Sequence, residues 1–400
     1  MNRKIFKSQR GLKKKGTFPE VAAIDFQYLT LLKPSKNFPE GQRTVYFKPT
    51  NLILNKREKE KEIETEEIKI EDKEYMVVYN LGDIFDYAQR LCFRENGLIS
   101  TEIFRDSNLV WTNIFTVKEK DDYMNIMTKY QKIGFFPSTY EFKSIFLLTK
   151  NYNHMKSLFA NDYNFMPKSL IFAKEFSEQI PKKFSINNLW LIRRDFEKPE
   201  FFVNDAQLVA AEKEEIILMK YITNPLLFNR RKFLLNAFVL ITGYSPLKIY
   251  VYKEGLTRFA GSKYSNSKKK LSDRHVYLTN YEVAKTSKNF KQNNEENKEK
   301  GLKWTISTLR KHFEKEGIDF ENKIWSQIKD IIVKIFITYY EFNVERLKQF
   351  KLNSQNLFDI YGVDILIDDK NKNNNIKDSN NGNIYQINVT KKTNEEKITR

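Results

Sequence analysis

The chain has 400 residues, 40% of them hydrophobic and 30% charged, a balance that excludes wholesale disorder. Its 13 glycines and 10 prolines exclude collagen-like and low-complexity classes. The formal charge, 69 − 51 = +18, creates a field that favours polyanions: nucleic acid, an anionic membrane surface or an acidic protein surface.

In chain order, residues 1–16 hold seven Lys/Arg, no acid and no apolar core, which does not fit a secretory signal. A basic, acid-poor start also fits a mitochondrial transit peptide; the plainer reading is a solvated arm. Residues 1–55 carry eleven Lys/Arg against three acids, with Pro19, Pro34, Pro39 and Pro49 breaking any long helix. They read as an extended basic arm. Residues 56–74 are a charged linker, and 75–185 read as an N-terminal lobe opening on a strand at 75–82 and a helix at 83–93. The single Cys92 and the scattered His154, His275 and His312 exclude a disulfide framework and a Cys- or His-based metal cage; such a chain suits a reducing compartment.

Residues 186–400 read as central and C-terminal lobes. Short strands fall at 187–192 and 216–221. Two longer ones, 232–242 and 246–252, are separated by Gly243-Tyr244-Ser245 and read as antiparallel neighbours. A helix spans 323–342, with Trp325, Ile328, Ile332, Ile335 and Tyr339 at spacings of three and four. Two last strands, 359–368 and 383–389, flank a polar loop at 369–382. No apolar run approaches the ~20 residues of a membrane span. The class is α+β.

Several stretches carry a further signal. They are Trp111, Tyr130-Gln131-Lys132-Ile133, Phe136-Pro137, Tyr163-Asn164-Phe165-Met166-Pro167 and Asn188-Leu189-Trp190. Lys220-Tyr221-Ile222-Thr223-Asn224-Pro225, Arg231-Lys232-Phe233, residues 250–260 (YVYKEGLTRFA), Leu278-Thr279-Asn280-Tyr281, Tyr361-Gly362-Val363-Asp364 and Asn388 follow. In this order, over 388 − 109 + 1 = 280 residues, the chain resembles the tubulin tyrosine ligase-like proteins. The resemblance implies an ATP-grasp fold and an amino-acid ligase. In that chemistry ATP phosphorylates a carboxylate, and an amine then displaces phosphate, with Mg²⁺ and cationic clamps on the transferring group.

The resemblance implies a nucleotide site at Lys220, Tyr221, Ile222, Arg258, Thr279, Asn280 and Asn388, a substrate-side cation at Lys232 and a metal ligand at Asp364. Four positions depart from it. Arg193 stands where the family has a lysine, and no glycine lies between Trp190 and Asn204 to let backbone approach phosphates. Leu234 replaces an aspartate, and Asn236 an arginine. Gln386, two before Asn388, replaces the second magnesium carboxylate, keeping an acceptor oxygen but losing its charge. Read without the resemblance, Lys220 is a solvated strand-end lysine, Asn280 and Asn388 satisfy loop backbone, and Asp364, between Val363 and Ile365, wants a polar partner.

The implied reading is a pseudo-ligase that requires no cofactor, with residual binding of ATP and Mg²⁺ left open. Its surface would serve as a structural subunit on tubulin, microtubules or axonemal proteins with acidic surfaces, in the cytoplasm, cytoskeleton or ciliary axoneme and not on a membrane. The arm (11 − 3 = +8) and residues 261–291 (8 − 2 = +6) are the basic stretches for such a partner. Two alternatives stand beside it. One is an active ligase of the glutamylase or glycylase type, with Arg193 in place of the lysine and Asp195 or Glu197 as carboxylate. The other is a nucleic-acid-associated subunit of an organellar complex, which the charge and 14% aromatics allow.

Overall fold

A computed structural model of the chain describes residues 32–34, 43–45, 78–80, 89–90, 92–93, 98–101, 107–111, 131–172, 189–193, 200–202, 216–265, 267, 270, 273–290, 301–350, 354–369 and 384–391. The charged linker, nearly all of the arm, the segment 194–199 and all but the first residue of the predicted polar loop at 369–382 lie outside these residues.

The chain divides into two units, Met1–Asn80 with Asp86–Asn108, and Leu81–Phe85 with Leu109–Arg400. In the first, β1 (Leu32–Pro34) pairs antiparallel with β2 (Arg43–Val45), and β3 (Val78–Asn80) pairs parallel with β4 (Ile99–Ser100). Tyr79 packs on Phe93 with ring centroids 4.9 Å apart.

The second unit opens with the parallel pair β5 (Leu109–Val110) and β6 (Lys132–Ile133). Helices α1 (Thr139–Lys143) and α2 (Ile145–Leu158) follow. Ser144 caps α2, its hydroxyl accepting from Leu147 N–H at 3.1 Å. A four-stranded antiparallel sheet has the order β7 (Ser169–Phe172), β10 (Ile216–Lys220), β8 (Trp190–Arg193), β9 (Glu200–Phe202). Its central strand β10 is buried from Ile216 to Met219, which explains its unbroken apolar run.

The larger sheet is built on β12 (Arg231–Tyr244), entered from β11 (Leu227–Phe228) through Asn229 and Arg230. Both residues have positive φ, 50° and 61°, the backbone a two-residue hairpin demands. The path is β14 (Lys303–Thr305), β13 (Leu247–Phe259), β12, β15 (Asp359–Ile367), β16 (Ile384–Lys391). The predicted antiparallel neighbours do pair, with a shorter turn than expected. Tyr244 is fully buried and still in the ladder opposite Leu247, so Ser245 and Pro246 alone make the turn.

Between β13 and β14 lie α3 (Arg274–Tyr277) and α4 (Tyr281–Lys285). After β14 come α5 (Ile306–Lys315), a π-helical turn (Glu321–Trp325), α6 (Ser326–Ile337) and α7 (Tyr340–Gln349). The helix predicted at 323–342 is thus three pieces. Its carbonyl at Lys334 also accepts from Thr338 Oγ1 at 3.0 Å and Tyr163 Oη at 3.0 Å, and the helical path breaks at Tyr339, with φ −109° and ψ 9°. Among the described residues no helix is long and apolar enough to cross a membrane.

One face of the large sheet is core. Leu235, Ala237, Val239 and Ile241 of β12 and Asp359, Tyr361, Val363 and Ile365 of β15 are at most 1% exposed. Helices cover them: the ring of Tyr361 lies 5.0 Å from Phe142 of α1 and 5.2 Å from Phe336 of α6. The buried Asp359 accepts from Thr139 Oγ1 at 2.7 Å and Tyr361 Oη at 3.1 Å, and Asn343 Nδ2 donates to Ser138 Oγ at 2.7 Å. On β13, a Cβ at Gly255 would stand 2.4 Å from Asn236 O and 2.7 Å from Ile306 Cδ1. Gly255→Ala is therefore expected to lower unfolding free energy by about 1–3 kcal/mol, read as a lower urea midpoint; an unchanged midpoint would refute this close packing of β13 against β12 and α5.

Candidate functional site

The opposite face of the sheet carries the candidate site, because side chains along a strand alternate between faces. Asn236 on β12 lies opposite Asp364 on β15, which in turn lies opposite Asn388 on β16. Three polar positions named from sequence thus form one row across three strands. Asn236 Nδ2 donates to Asp364 Oδ1 at 2.6 Å. This is the partner the half-buried carboxylate needs among its apolar neighbours. Asn236 is 1% exposed, and its Oδ1 has no hydrogen-bond partner among the described residues.

The ladder slips beside this row. Asp364 pairs with Asn388, but the next residue, Ile365, pairs with Gln386, so β16 carries an extra residue at Ile387. One step along β12, Leu234 is buried opposite the half-buried Arg258 on β13. The position at which the resemblance expects an aspartate is therefore a buried leucine in the sheet.

A second cluster forms where β10 ends. Lys220 is exposed opposite Trp190. Tyr221 turns inward, 7% exposed, anchored by its N–H to Leu189 O at 2.8 Å. Lys232, at the start of β12, reaches it: Nζ donates to Tyr221 Oη at 3.1 Å and lies 4.5 Å from the ring centroid. Burial lowers the Lys232 ammonium from the ordinary 10.5 to about 7. Burial, then Tyr264, raises the Tyr221 hydroxyl well above its usual range. The flanking rings of Tyr264 and Tyr277 pack on this cluster, with Tyr277 6.0 Å from Tyr221. Tyr264 Oη donates to Thr223 O at 2.9 Å, and Tyr277 Oη to Ser265 O at 2.7 Å. Ile222 is half-buried beside them. Sequence reading missed Tyr264 and Tyr277, which lie at no regular spacing from Tyr221.

The remaining positions stand apart. Arg193 on β8 is half-buried opposite Ile217, with Nη1 4.0 Å from Met219 Sδ. Thr279 is half-buried. Asn280 caps α4, its Oδ1 accepting from Glu282 N–H at 2.9 Å, which is the backbone role open to it from sequence. The basic stretch 261–291 is firmly mounted where described. Ser287 Oγ donates to Gly261 O at 3.0 Å, and the ring of His275 bridges Asp273 Oδ1 at 3.1 Å and Thr286 Oγ1 at 3.0 Å.

Comparison with known proteins agrees with this architecture. The sequence model of the tubulin-tyrosine ligase family matches residues 124–374. The chain belongs to the tubulin-tyrosine ligase family. Its large antiparallel sheet and packed helices are the ATP-grasp-like fold of that domain. Tubulin polyglutamylase TTLL6 of Homo sapiens is 31% identical over 293 residues, covering 71% of this chain and 31% of that protein. Tubulin polyglutamylase TTLL5 of Mus musculus is 29% identical over 268 residues, 66% of this chain and 20% of its own length. Tubulin monoglutamylase TTLL4 of Mus musculus is 28% identical over 272 residues, 66% of this chain and 22% of its own. The chain spans about a fifth to a third of the length of these relatives.

Within the family domain, Lys232 offers a direct test of the second cluster. With a folded value near 7 and an unfolded value near 10.5, the unfolded chain keeps this proton across that window while the folded chain releases it. Stability from this residue therefore rises with pH from about 7 to 10.5, by at most about 1.4 kcal/mol per unit. Below that window both states hold the proton and the buried charge costs its full amount. Lys232→Met is expected to flatten the rise in urea midpoint between about pH 7 and pH 9.5. An equal rise in both proteins would show that Lys232 is not buried as described.

Proposed function

We propose that this chain is a tubulin-directed member of the family that has lost ligase chemistry and kept its folded surface. The observation that carries the reading is the 2.6 Å bond from Asn236 to Asp364. The resemblance reserves Asp364 for Mg²⁺ and position 236 for a phosphate-clamping cation. Here a neutral amide occupies the second position and engages the first. Gln386 supplies no charge, so the named positions offer Mg²⁺ one carboxylate, a donor set that does not fit an ion held between two carboxylates and phosphates. No step is routed through that ion, and no cofactor is required for the proposed role. The tubulin partner rests on the named activities of the relatives and on the +18 charge, which suits the acidic surface of tubulin. We place the protein on the cytoskeleton, as a structural subunit of microtubules of the kind an axoneme contains.

A second reading, an active glutamate ligase, is favoured by the retained Asp364 and by Lys232, whose amine is largely neutral above about pH 7. One experiment separates the two. The chain is incubated with microtubules, Mg-ATP and labelled glutamate, with Asp364→Ala in parallel, and sedimented with intact and tail-cleaved tubulin. The expected result is no incorporation above background and co-sedimentation that weakens when the tails are removed. Incorporation that disappears in Asp364→Ala would replace this reading with the ligase. Failure to sediment with either tubulin would remove the partner.

A further inference from the structure

The helices of the second unit carry an apolar surface of their own. Ile328, Ile332, Ile335 and Phe336 turn one face of α6 into the core. The outer face does not follow the usual polar pattern. Val333 and Ile337 of α6, Tyr340 of α7, and Leu158 and Phe159 at the end of α2 are between 37% and 59% exposed. The turn after α2 lies against α6, where Tyr163 Oη donates to Lys334 O at 3.0 Å and Asp162 Oδ1 stands 3.2 Å from Lys334 Nζ. Phe159 packs beside the same tyrosine, with ring centroids 6.5 Å apart. Val333 and Ile337 are one turn apart on a single stripe, ~6 Å along the helix axis. Five large side chains this open present roughly 400–500 Å² of apolar area, a patch of the size that marks an interaction site.

The charges around the patch select its occupant. The chain as a whole carries +18, yet the residues bordering the patch balance: Lys156, Lys329 and Lys334 against Asp162, Asp330 and Glu341. Lys334 is neutralised within the chain, its Nζ also 2.9 Å from Asp330 Oδ2. A strongly acidic or strongly basic partner therefore finds no excess charge to hold here. A partner with the same balanced rim does fit. Lys329 lies toward the start of the stripe, 3.2 Å from Glu321 at the exposed surface. Glu341 lies just beyond the end of the stripe and enters no ion pair among the described residues. An antiparallel pairing of two such stripes, centred between Val333 and Ile337, sets Val333 on Ile337 of the second copy. It sets Lys329 on Glu341 of the second copy, and symmetry repeats each contact.

We infer that this outer face, built on Val333 and Ile337 and bordered by Phe159, joins two copies of the chain in a two-fold dimer with their α6 helices antiparallel. Two patches and a polar rim bury about 1,000–1,200 Å² in all, the low end for a specific interface, so the pairing is a micromolar one. Because α6 packs on the face of the sheet that holds Tyr361, and the Asn236–Asp364 row lies on the other, the dimer leaves both rows uncovered.

Sedimentation velocity of the full chain from about 1 to about 100 µM tests it. The unaltered chain is expected to pass from the mass of one copy to that of two across this range. Ile337→Asp is expected to raise the dissociation constant about tenfold or more, and Phe159→Ser, on another element, to act in the same direction. Lys329→Glu and Glu341→Lys are each expected to weaken the dimer about three- to tenfold, and an equimolar mixture of the two to restore it, since opposite charges then meet at both ends. All four replace exposed side chains, and thermal melts check that each stays folded. The mass of one copy at every concentration would overturn the dimer. If Ile337→Asp then also lost sedimentation with microtubules, the face would belong to tubulin instead. Dimerisation unchanged by Ile337→Asp and Phe159→Ser would overturn the location. A mixture no tighter than either charge variant alone would overturn the antiparallel arrangement.

Discussion

Strand β12 is hydrogen-bonded along both edges, to β13 and to β15, and the two-residue period of its side chains sorts the second unit into a packed face and a working face. Odd-numbered residues from Leu235 to Ile241 meet helices, and even-numbered ones from Leu234 to Leu240 meet the candidate site and the surface beyond it. A slip of one residue would exchange the two sets, placing Asn236 in the apolar core and Ile241 against solvent. Burial on the packed face is what forbids the slip. Asp359 contributes there too, because a fully buried carboxylate can keep only the register that brings Thr139 to it.

The same constraint explains how a site position can change without changing the shape of the frame. Asn236 and Asp364 meet because their strands are held in register by Leu235–Ile365 and Ala237–Val363 on the other side. Substitution at one site position leaves the frame in place and changes only what the frame presents. At the entrance to β12, the positive-φ pair Asn229 and Arg230 sets Lys232 under Tyr221, and the rings of Tyr264 and Tyr277 enclose the result.

Much of the scaffold was legible in the chain itself. The unbroken apolar run at 216–219 marked a buried strand, and the helical spacing from Trp325 to Ile335 marked the helix that covers the sheet. Other features left no local trace. The run 232–242 is so uniformly apolar that no alternation shows which residues face helices. Near the break at Tyr339, the Lys334 carbonyl also accepts from Tyr163 Oη, 171 positions away. Tyr264 and Tyr277 join Tyr221 only because the loop between β13 and β14 folds back over the end of β10.

By itself, then, the amino-acid sequence determined family, fold class, excess positive charge and the identities of the candidate site residues, since each is a property of residue type and order. Tertiary structure alone decided that Asn236 would satisfy Asp364, that Asn280 would cap a helix, and that Val333 and Ile337 would stand open to water. The physical reason is range. Composition and spacing act within a few residues, whereas Asn236 and Asp364 lie 128 positions apart and are joined by strand register that only the packed core can set.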